Sequence, residues 1–233
     1  MCFLYYIILF FQPVFYKITL VNKRKPLFIT IEGGEGSGKT SNSLLLKQYL
    51  TKKGHKILLT REPGGTILAE VIRKILLNPK SKLTPLSELF LYEAARAQHI
   101  SEIVRPALEK GFTVICDRFT DATVAYQGFA RKLNLDLINK LNSAASFGLT
   151  PNLTIYLDID PKLGLNKAKK LDKESYGKTG DRIEMESLKF HQAVRRGYLS
   201  QAKKYPKRIK VVKTNSDINK TWAEIEKHIA KKV

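Results

Sequence analysis

Residues 33–40 read Gly-Gly-Glu-Gly-Ser-Gly-Lys-Thr, which satisfies G-x-x-x-x-G-K-[ST] at every fixed position. Glycines in such a loop let backbone N–H groups converge on phosphate oxygens, and the helix that follows adds its positive end. In that chemistry Gly33, Gly34, Glu35, Gly36, Ser37, Gly38, Lys39 and Thr40 cradle the phosphates of a nucleoside triphosphate. Lys39 reaches the β- and γ-phosphates, and the Thr40 hydroxyl holds Mg²⁺. The context rules out a chance glycine-rich turn. The apolar run Leu27-Phe28-Ile29-Thr30-Ile31 precedes the loop and suits a buried strand. A helical pattern with Leu44, Leu45, Gln48 and Tyr49 follows it.

A phosphate-binding loop alone specifies no reaction. Three other runs narrow the chemistry. The apolar stretch Thr113-Val114-Ile115-Cys116 ends in Asp117-Arg118. A carboxylate at the carboxyl edge of a strand can hold Mg²⁺, and an arginine beside it offers a planar fork to a second phosphate. Residues 61–66, Arg-Glu-Pro-Gly-Gly-Thr, make a tight turn in which Pro63, Gly64 and Gly65 allow a ligand close to the backbone. Tyr92 and Arg96 stand four apart in a helical stretch, so a ring and a guanidinium share one face. Such a pair can stack on a base and donate to its carbonyl.

The elements that must hold these residues follow from periodicity. Short apolar runs at 27–31, 56–61, 113–117, 153–158 and 209–213 read as five buried parallel strands. Helical patterns at about 39–53, 66–77, 85–110, 121–127, 135–147, 161–171, 183–204 and 217–231 separate them. The expected class is α/β, with a doubly wound five-stranded parallel sheet flanked by helices. Gly54 and Gly111 fall where helix C-caps belong. The polar segment 171–180 has no apolar periodicity and reads as a flexible flap between two helices.

Composition excludes more than it selects. A hydrophobic share of 43% and a charged share of 27% are those of a soluble globular domain. The formal charge of +20 is unusual, and lysines outnumber arginines 30 to 11. No basic stripe interleaved with aromatics accompanies them, which favours a compositional bias over a nucleic-acid surface. Cys2 and Cys116 make no disulfide framework, so a reducing cytosol is expected, with Cys116 as a small core residue. The four histidines lack metal-ligand spacing. Those at 55, 191 and 228 read as surface residues. Residues 1–26 form an atypical apolar extension, too interrupted for a membrane span and without the features of a secretory signal. The working protein is expected to begin near Val21 or Lys25, leaving 27–233 as a single domain built around the phosphate loop.

Taken in order, four motifs resemble the bacterial thymidylate (dTMP) kinase family. They are the loop at 33–40, Arg-Glu-Pro-Gly-Gly-Thr at 61–66, Asp117-Arg118-Phe119 with Ala125-Tyr126-Gln127-Gly128, and Asp181-Arg182-Ile183-Glu184. The resemblance covers about residues 27–231. It implies a P-loop nucleoside monophosphate kinase-like fold with a mobile lid at about 167–182, acting in the cytoplasm as a homodimer. ATP is the implied co-substrate with Mg²⁺, and dTMP is the acceptor of an in-line phosphoryl transfer in dTTP synthesis. No specific nucleic-acid partner and no membrane association are implied. Residue by residue, Glu35 bonds the acceptor's 3′-hydroxyl and Arg118 grips its phosphate. Asp117 lies by the metal, while Pro63 and Gly64 shape the acceptor's wall. Tyr92 stacks on thymine, Arg96 reads its carbonyl, Tyr126 crowds the 2′ position and Gln127 lies beside the base. Lys39, Arg118, Asp117 and Arg182 make up the catalytic set. His99 takes a structural role.

Three features depart from the family pattern, one of them a longer lid, through Asp172-Lys173-Glu174-Ser175-Tyr176-Gly177. Members with an acidic loop carry several lid arginines, but 167–182 holds five lysines and Arg182 alone. Lysine brings charge without a bidentate fork. Ala122 stands where a serine is common, with Thr123 next to it. Three rivals fit less well: a P-loop kinase for another acceptor, a nucleic-acid-bound P-loop ATPase and a membrane-tethered module. Tyr92, Arg96 and Tyr126 disfavour the first. Glu35 in the loop and the acceptor-type Asp-Arg-Phe run disfavour the second. The third would rest on residues 1–20 alone.

Overall fold

The computed structural model describes residues 25–176 and 180–233. The apolar extension therefore lies outside the described residues up to position 24, as does part of the expected flap. Five parallel strands form one sheet in the order β2-β3-β1-β4-β5: β1 Phe28–Gly33, β2 Ile57–Arg61, β3 Thr113–Asp117, β4 Leu153–Asp158 and β5 Ile209–Lys213. All five runs read from the sequence are strands. The helices are α1 Lys39–Lys52, α2 Ile67–Leu77, α3 Pro85–His99, α4 Arg105–Glu109, α5 Thr120–Thr123, α6 Leu135–Ala145, α7 Pro161–Tyr176, α8 Leu188–Lys204 and α9 Ile218–Ile229.

Strand β1 explains why the sheet is covered on both sides. Its alternate residues Ile29 and Ile31 join Leu46, Leu50, Ile225 and Ile229 beneath α1 and α9. Phe28 faces the other way, with Val104, Val114, Cys116 and Phe119. Each fully buried Leu or Ile contributes roughly 1.5–3 kcal/mol of transfer free energy. The central strands therefore read as continuous apolar runs. The register pairs Ile31 with Asp117, which brings the end of β3 beside the loop that leaves β1. The order reverses at β1, so β3 and β4 diverge around that loop and open the crevice where ligands bind in such sheets.

Several boundaries differ from the sequence reading, each for a local reason. The helix expected over 85–110 is interrupted by a π-helical turn at Ile100–Val104. Pro106, which cannot donate to a carbonyl four residues back, lies in the first turn of the segment beyond it. The helix expected at 121–127 is α5 followed by a π-helical stretch, Val124–Ala130. Helix α8 begins at 188 rather than 183, because Ser187 caps it by accepting from Phe190 N–H at 3.2 Å. Asp181 closes a separate turn before it, accepting from the N–H groups of Ile183 and Glu184, each at 2.9 Å. Helix α7 runs to Tyr176, five residues beyond the expected 171. Its Lys, Leu and Glu residues are good helix formers even without an apolar stripe.

Two expected surface histidines are buried. His55 is held by Thr113 Oγ1 at 3.0 Å across the β2–β3 edge, and His191 is covered because α8 packs on the π-helical stretch and the loop after β1. Cys116 is a buried free thiol, as expected. Among the described residues, no helix is long and apolar enough to cross a membrane.

Candidate active site

The loop between β1 and α1 is built for close approach. Gly36 has φ +63°, and a Cβ there would collide with the Gly164 carbonyl in the first turns of α7. The loop is braced internally: Ser37 Oγ donates to Gly34 O at 2.8 Å and Lys39 Nζ donates to the same oxygen at 3.0 Å. Burial pushes the Lys39 ammonium down and Arg118 adds to that effect, against Glu35 and Asp117. A cation held this way gains when phosphate oxygens arrive. Thr40 is exposed in the first turn of α1. Asp117 Oδ1 is buried without a hydrogen-bond partner among the described residues. A hydroxyl and an unpartnered carboxylate oxygen are hard donors, and they fit Mg²⁺.

Arg118 stands where this loop meets a second cleft. Its backbone is left-handed, φ +69°, an uncommon and costly conformation for an arginine. Three contacts hold it: its N–H donates to Ile31 O at 3.0 Å, Cys116 Sγ donates to its carbonyl, and Phe119 N–H donates to Glu32 Oε1 at 2.7 Å. The side chain pairs with Glu35 at 2.6 Å through Nη2 and donates to the Tyr126 hydroxyl at 2.9 Å through Nη1. Tyr126 donates in turn to Glu35 at 3.0 Å. With a longer contact from Nη1 to the Tyr198 hydroxyl at 3.5 Å, these leave Nε–H and one Nη2–H of Arg118 without a partner among the described residues. Burial would raise Glu35, but Arg118 and Lys39 outweigh it and hold the carboxyl down at about 2.

The second cleft opens beside this junction, between α2, α3 and the segment that follows β3. It is lined by Glu35, Pro63, Tyr92, Arg96, Arg118, Tyr126 and Gln127, so the structure brings these expected acceptor residues together. Gly64 sits in the adjoining turn at φ +143°. Tyr92 and Arg96 reach the cleft from one face of α3, and the π-helical stretch delivers both Tyr126 and Gln127. Such turns recur at functional sites.

Arg96 is 2% exposed and heavily committed. Nε pairs with Glu62 at 2.8 Å, Nη1 meets Glu93 at 2.9 Å and Asn142 at 2.7 Å, and Nη2 donates to Thr123 at 3.0 Å. Burial opposes its charge, but Glu93 and Glu62 prevail and raise its pKa. One Nη2 proton remains without a partner among the described residues. His99 continues the network, bridging Glu62 Oε1 at 3.0 Å and Thr60 Oγ1 at 2.7 Å, which bears out its structural role.

Arg182 is not brought to the phosphate loop. Its Nε donates to Leu76 O at 2.7 Å at the end of α2, and Nη1 pairs with Glu88 on α3 at 2.7 Å. Its neighbours Asp181 and Ile183 line the cleft instead. Sequence reasoning missed Arg73, which lines the cleft from α2 and donates to Pro63 O at 3.0 Å. Burial lowers its pKa and the nearby Arg61 adds to that effect, so cations crowd this end of the cleft. The one signal was an arginine beside Ile72 on a helix whose stripe is otherwise apolar.

A family profile described as Thymidylate kinase matches residues 31–225. The thymidylate kinase of Gloeobacter violaceus is 48% identical over 199 residues, 85% of this chain and 92% of that protein. That of Geobacter sp. strain M21 is 48% identical over 207 residues, covering 88% and 92% respectively. Among solved structures, thymidylate kinase from Ehrlichia chaffeensis superposes with a TM-score of 0.70 at 36% identity. The match spans 88% of this chain and 98% of that one.

Proposed function

The chain belongs to the thymidylate kinase family and catalyses ATP-dependent phosphorylation of dTMP to dTDP in dTTP synthesis; from that premise we propose how its residues divide the work. The carrying observation is the junction at Arg118, which bonds Glu35 of the phosphate loop and Tyr126 of the acceptor cleft together. ATP lies along residues 33–40, and the acceptor phosphate takes the free N–H groups of Arg118, with Arg73 supplying further charge. A phosphate monoester is mostly dianionic at neutral pH, so the nucleophile needs no general base. The task is to bring two anions into line, and Lys39 and Arg118 offset that repulsion. The Thr40 hydroxyl and Asp117 carboxylate would hold Mg²⁺, which neutralises phosphate charge when bound.

Glu35 faces the sugar and accepts from its 3′-hydroxyl. Tyr126, fixed by Glu35 and Arg118, crowds the 2′ position against ribose. Pro63 and Gly64 close the wall around the sugar and phosphate. Tyr92 stacks on the base, while Arg96, through its spare Nη2 proton, and Gln127 read its edge. Arg182 in this arrangement holds the acceptor wall, and a part in the transition state requires it to leave Glu88. The lid at about 167–182 closes over ATP and excludes water.

The enzyme works as a homodimer. Ile67, Leu68, Val71 and Ile75 on α2, with Leu86 and Phe90 on α3, are exposed apolar side chains on two packed helices, which supports a self-complementary contact there. Sedimentation velocity finding only monomer at micromolar concentration would remove this assignment. The free thiol of Cys116 supports a cytoplasmic location. The acceptor is a mononucleotide, and the +20 charge needs no nucleic-acid partner.

The test uses protein beginning near Lys25 with ATP and Mg²⁺, following ADP release against dTMP, dUMP, UMP, dCMP and thymidine. Strong turnover is expected with dTMP, weaker with dUMP and little with UMP, dCMP or thymidine. Equal turnover of UMP and dUMP would overturn the role given to Tyr126.

A further inference from the structure

We propose that Glu88, which does not line the cleft, is the positioning residue that sets base discrimination by fixing the amide of Gln127. The proposal rests on the reading that Gln127 and Arg96 face the base. Glu88 lies in the first turn of α3 and is 1% exposed. Its Oε1 accepts from Gln127 Nε2 at 2.7 Å and Arg131 Nε at 3.1 Å. Its Oε2 accepts from Arg131 Nη2 at 3.1 Å and pairs with Arg182 Nη1 at 2.7 Å. Burial works against charge on this carboxyl, but hydrogen bonds from Arg131 and Gln127 outweigh it and lower its pKa.

An ionised carboxylate can only accept, so the end of the Gln127 amide facing it must be the NH₂ group. The carbonyl Oε1 is then the end left for the cleft that Gln127 lines. Arg96 contributes one uncommitted Nη2 proton to the same wall. The wall thus offers one acceptor and one donor. Thymine and uracil present N3–H beside O4 and match both. Cytosine presents a bare N3 beside an amino group and opposes both. A site whose buried polar groups are left unpaired by the wrong ligand rejects it strongly. Without the charge on Glu88 the amide is free to turn over, offering a donor that suits cytosine N3.

The test is kcat/KM for dTMP, dUMP and dCMP in the wild type, Glu88→Gln, Gln127→Leu and the double variant. Glu88→Gln is expected to narrow the dTMP-to-dCMP ratio about tenfold while leaving dTMP-to-dUMP unchanged, because those two share the N3–H edge. In the Gln127→Leu background, Glu88→Gln is expected to leave the dTMP-to-dCMP ratio unmoved. An equal loss on all three acceptors, as a merely structural role predicts, overturns the proposal. So does a ratio effect that persists without Gln127. Should Glu88→Gln fail to fold, Gln127→Leu alone carries the test, because a dTMP-to-dCMP ratio unchanged there leaves Glu88 no amide to act through and is equally fatal. A wild type that takes dCMP as readily as dTMP instead refutes the base-edge reading itself, and with it this proposal.

Discussion

In the proposed assignment, the donor end of the cleft offers ATP's phosphates a loop of backbone N–H groups, one lysine tied to Gly34 O and one exposed threonine. The proposed acceptor end offers the base side chains locked into buried networks: Arg96 with Glu62, Glu93, Asn142 and Thr123, and Gln127 with Glu88. The donor end needs little from the rest of the molecule beyond a strand and a helix in sequence. The acceptor end draws on α3, α6 and the segment 117–131 together. A phosphate is recognised by charge, which a local loop can supply. A base edge is recognised by direction, which only a fixed network can maintain. The two ends should therefore fail differently when cut.

The largest effect is expected at the acceptor end, on stability. Arg96→Ala strands the buried carboxylates of Glu62 and Glu93, and breaking such a pair costs about 3–5 kcal/mol. Thermal unfolding is expected to shift down by many degrees, with loss of dTMP turnover following from loss of fold. Lys39→Ala is its counterpart. Among the described residues the lysine's one hydrogen bond is to Gly34 O, so unfolding is expected to stay within a degree or two. Catalysis is expected to fall by about 10²–10³ in kcat, the order seen when one preorganised charge stabiliser is removed. If Arg96→Ala melts like the wild type, or Lys39→Ala loses stability instead of turnover, the contrast between the two ends is lost.

That contrast also explains what the sequence disclosed. The loop at 33–40 was legible because its chemistry is local and its spacing is the mechanism. The five strands were legible because burial on both faces writes a continuous apolar run. The acceptor residues Tyr92, Arg96, Tyr126 and Gln127 were reached through motif resemblance, whereas spacing alone gave only that Tyr92 and Arg96 share a face. Arg73 has no motif around it and joins the site only because α2 lies along the cleft. Arg182 was placed among catalytic cations by its motif, but the Leu76 carbonyl and Glu88, over ninety residues away in sequence, hold it at the acceptor wall. His55 and His191 read as surface residues because what buries them is tertiary: a strand partner in one case and a packed helix in the other.

The smallest expected effect compares two glutamates three residues apart. Glu35 is depressed to about 2 by Arg118 and Lys39, despite burial, with the Tyr126 hydroxyl and His191 adding to the effect. Its contribution to stability is complete above its ordinary value of 4.5 and is lost as pH falls from there towards 2. Glu32 is raised to about 8, because burial and the nearby Asp121 outweigh the Tyr198 hydroxyl, Arg118 and the Phe119 N–H. Its sign is the opposite. The unfolded chain releases this proton near 4.5 while the folded protein retains it, so folding loses stability as pH rises from 4.5 to 8. Denaturant unfolding of the nucleotide-free wild type and Glu32→Gln at pH 5 and pH 7 isolates that slope. The variant is expected to gain on the wild type by on the order of 2 kcal/mol over the interval. Glu35→Gln should instead lose its difference from the wild type only below pH 4.5. Parallel slopes for wild type and Glu32→Gln would mean that Glu32 is ionised throughout, as a partner of Arg118. The backbone of Phe119 would then be held by a full charge, and the strained conformation of Arg118 would owe its stability to electrostatics as much as to packing.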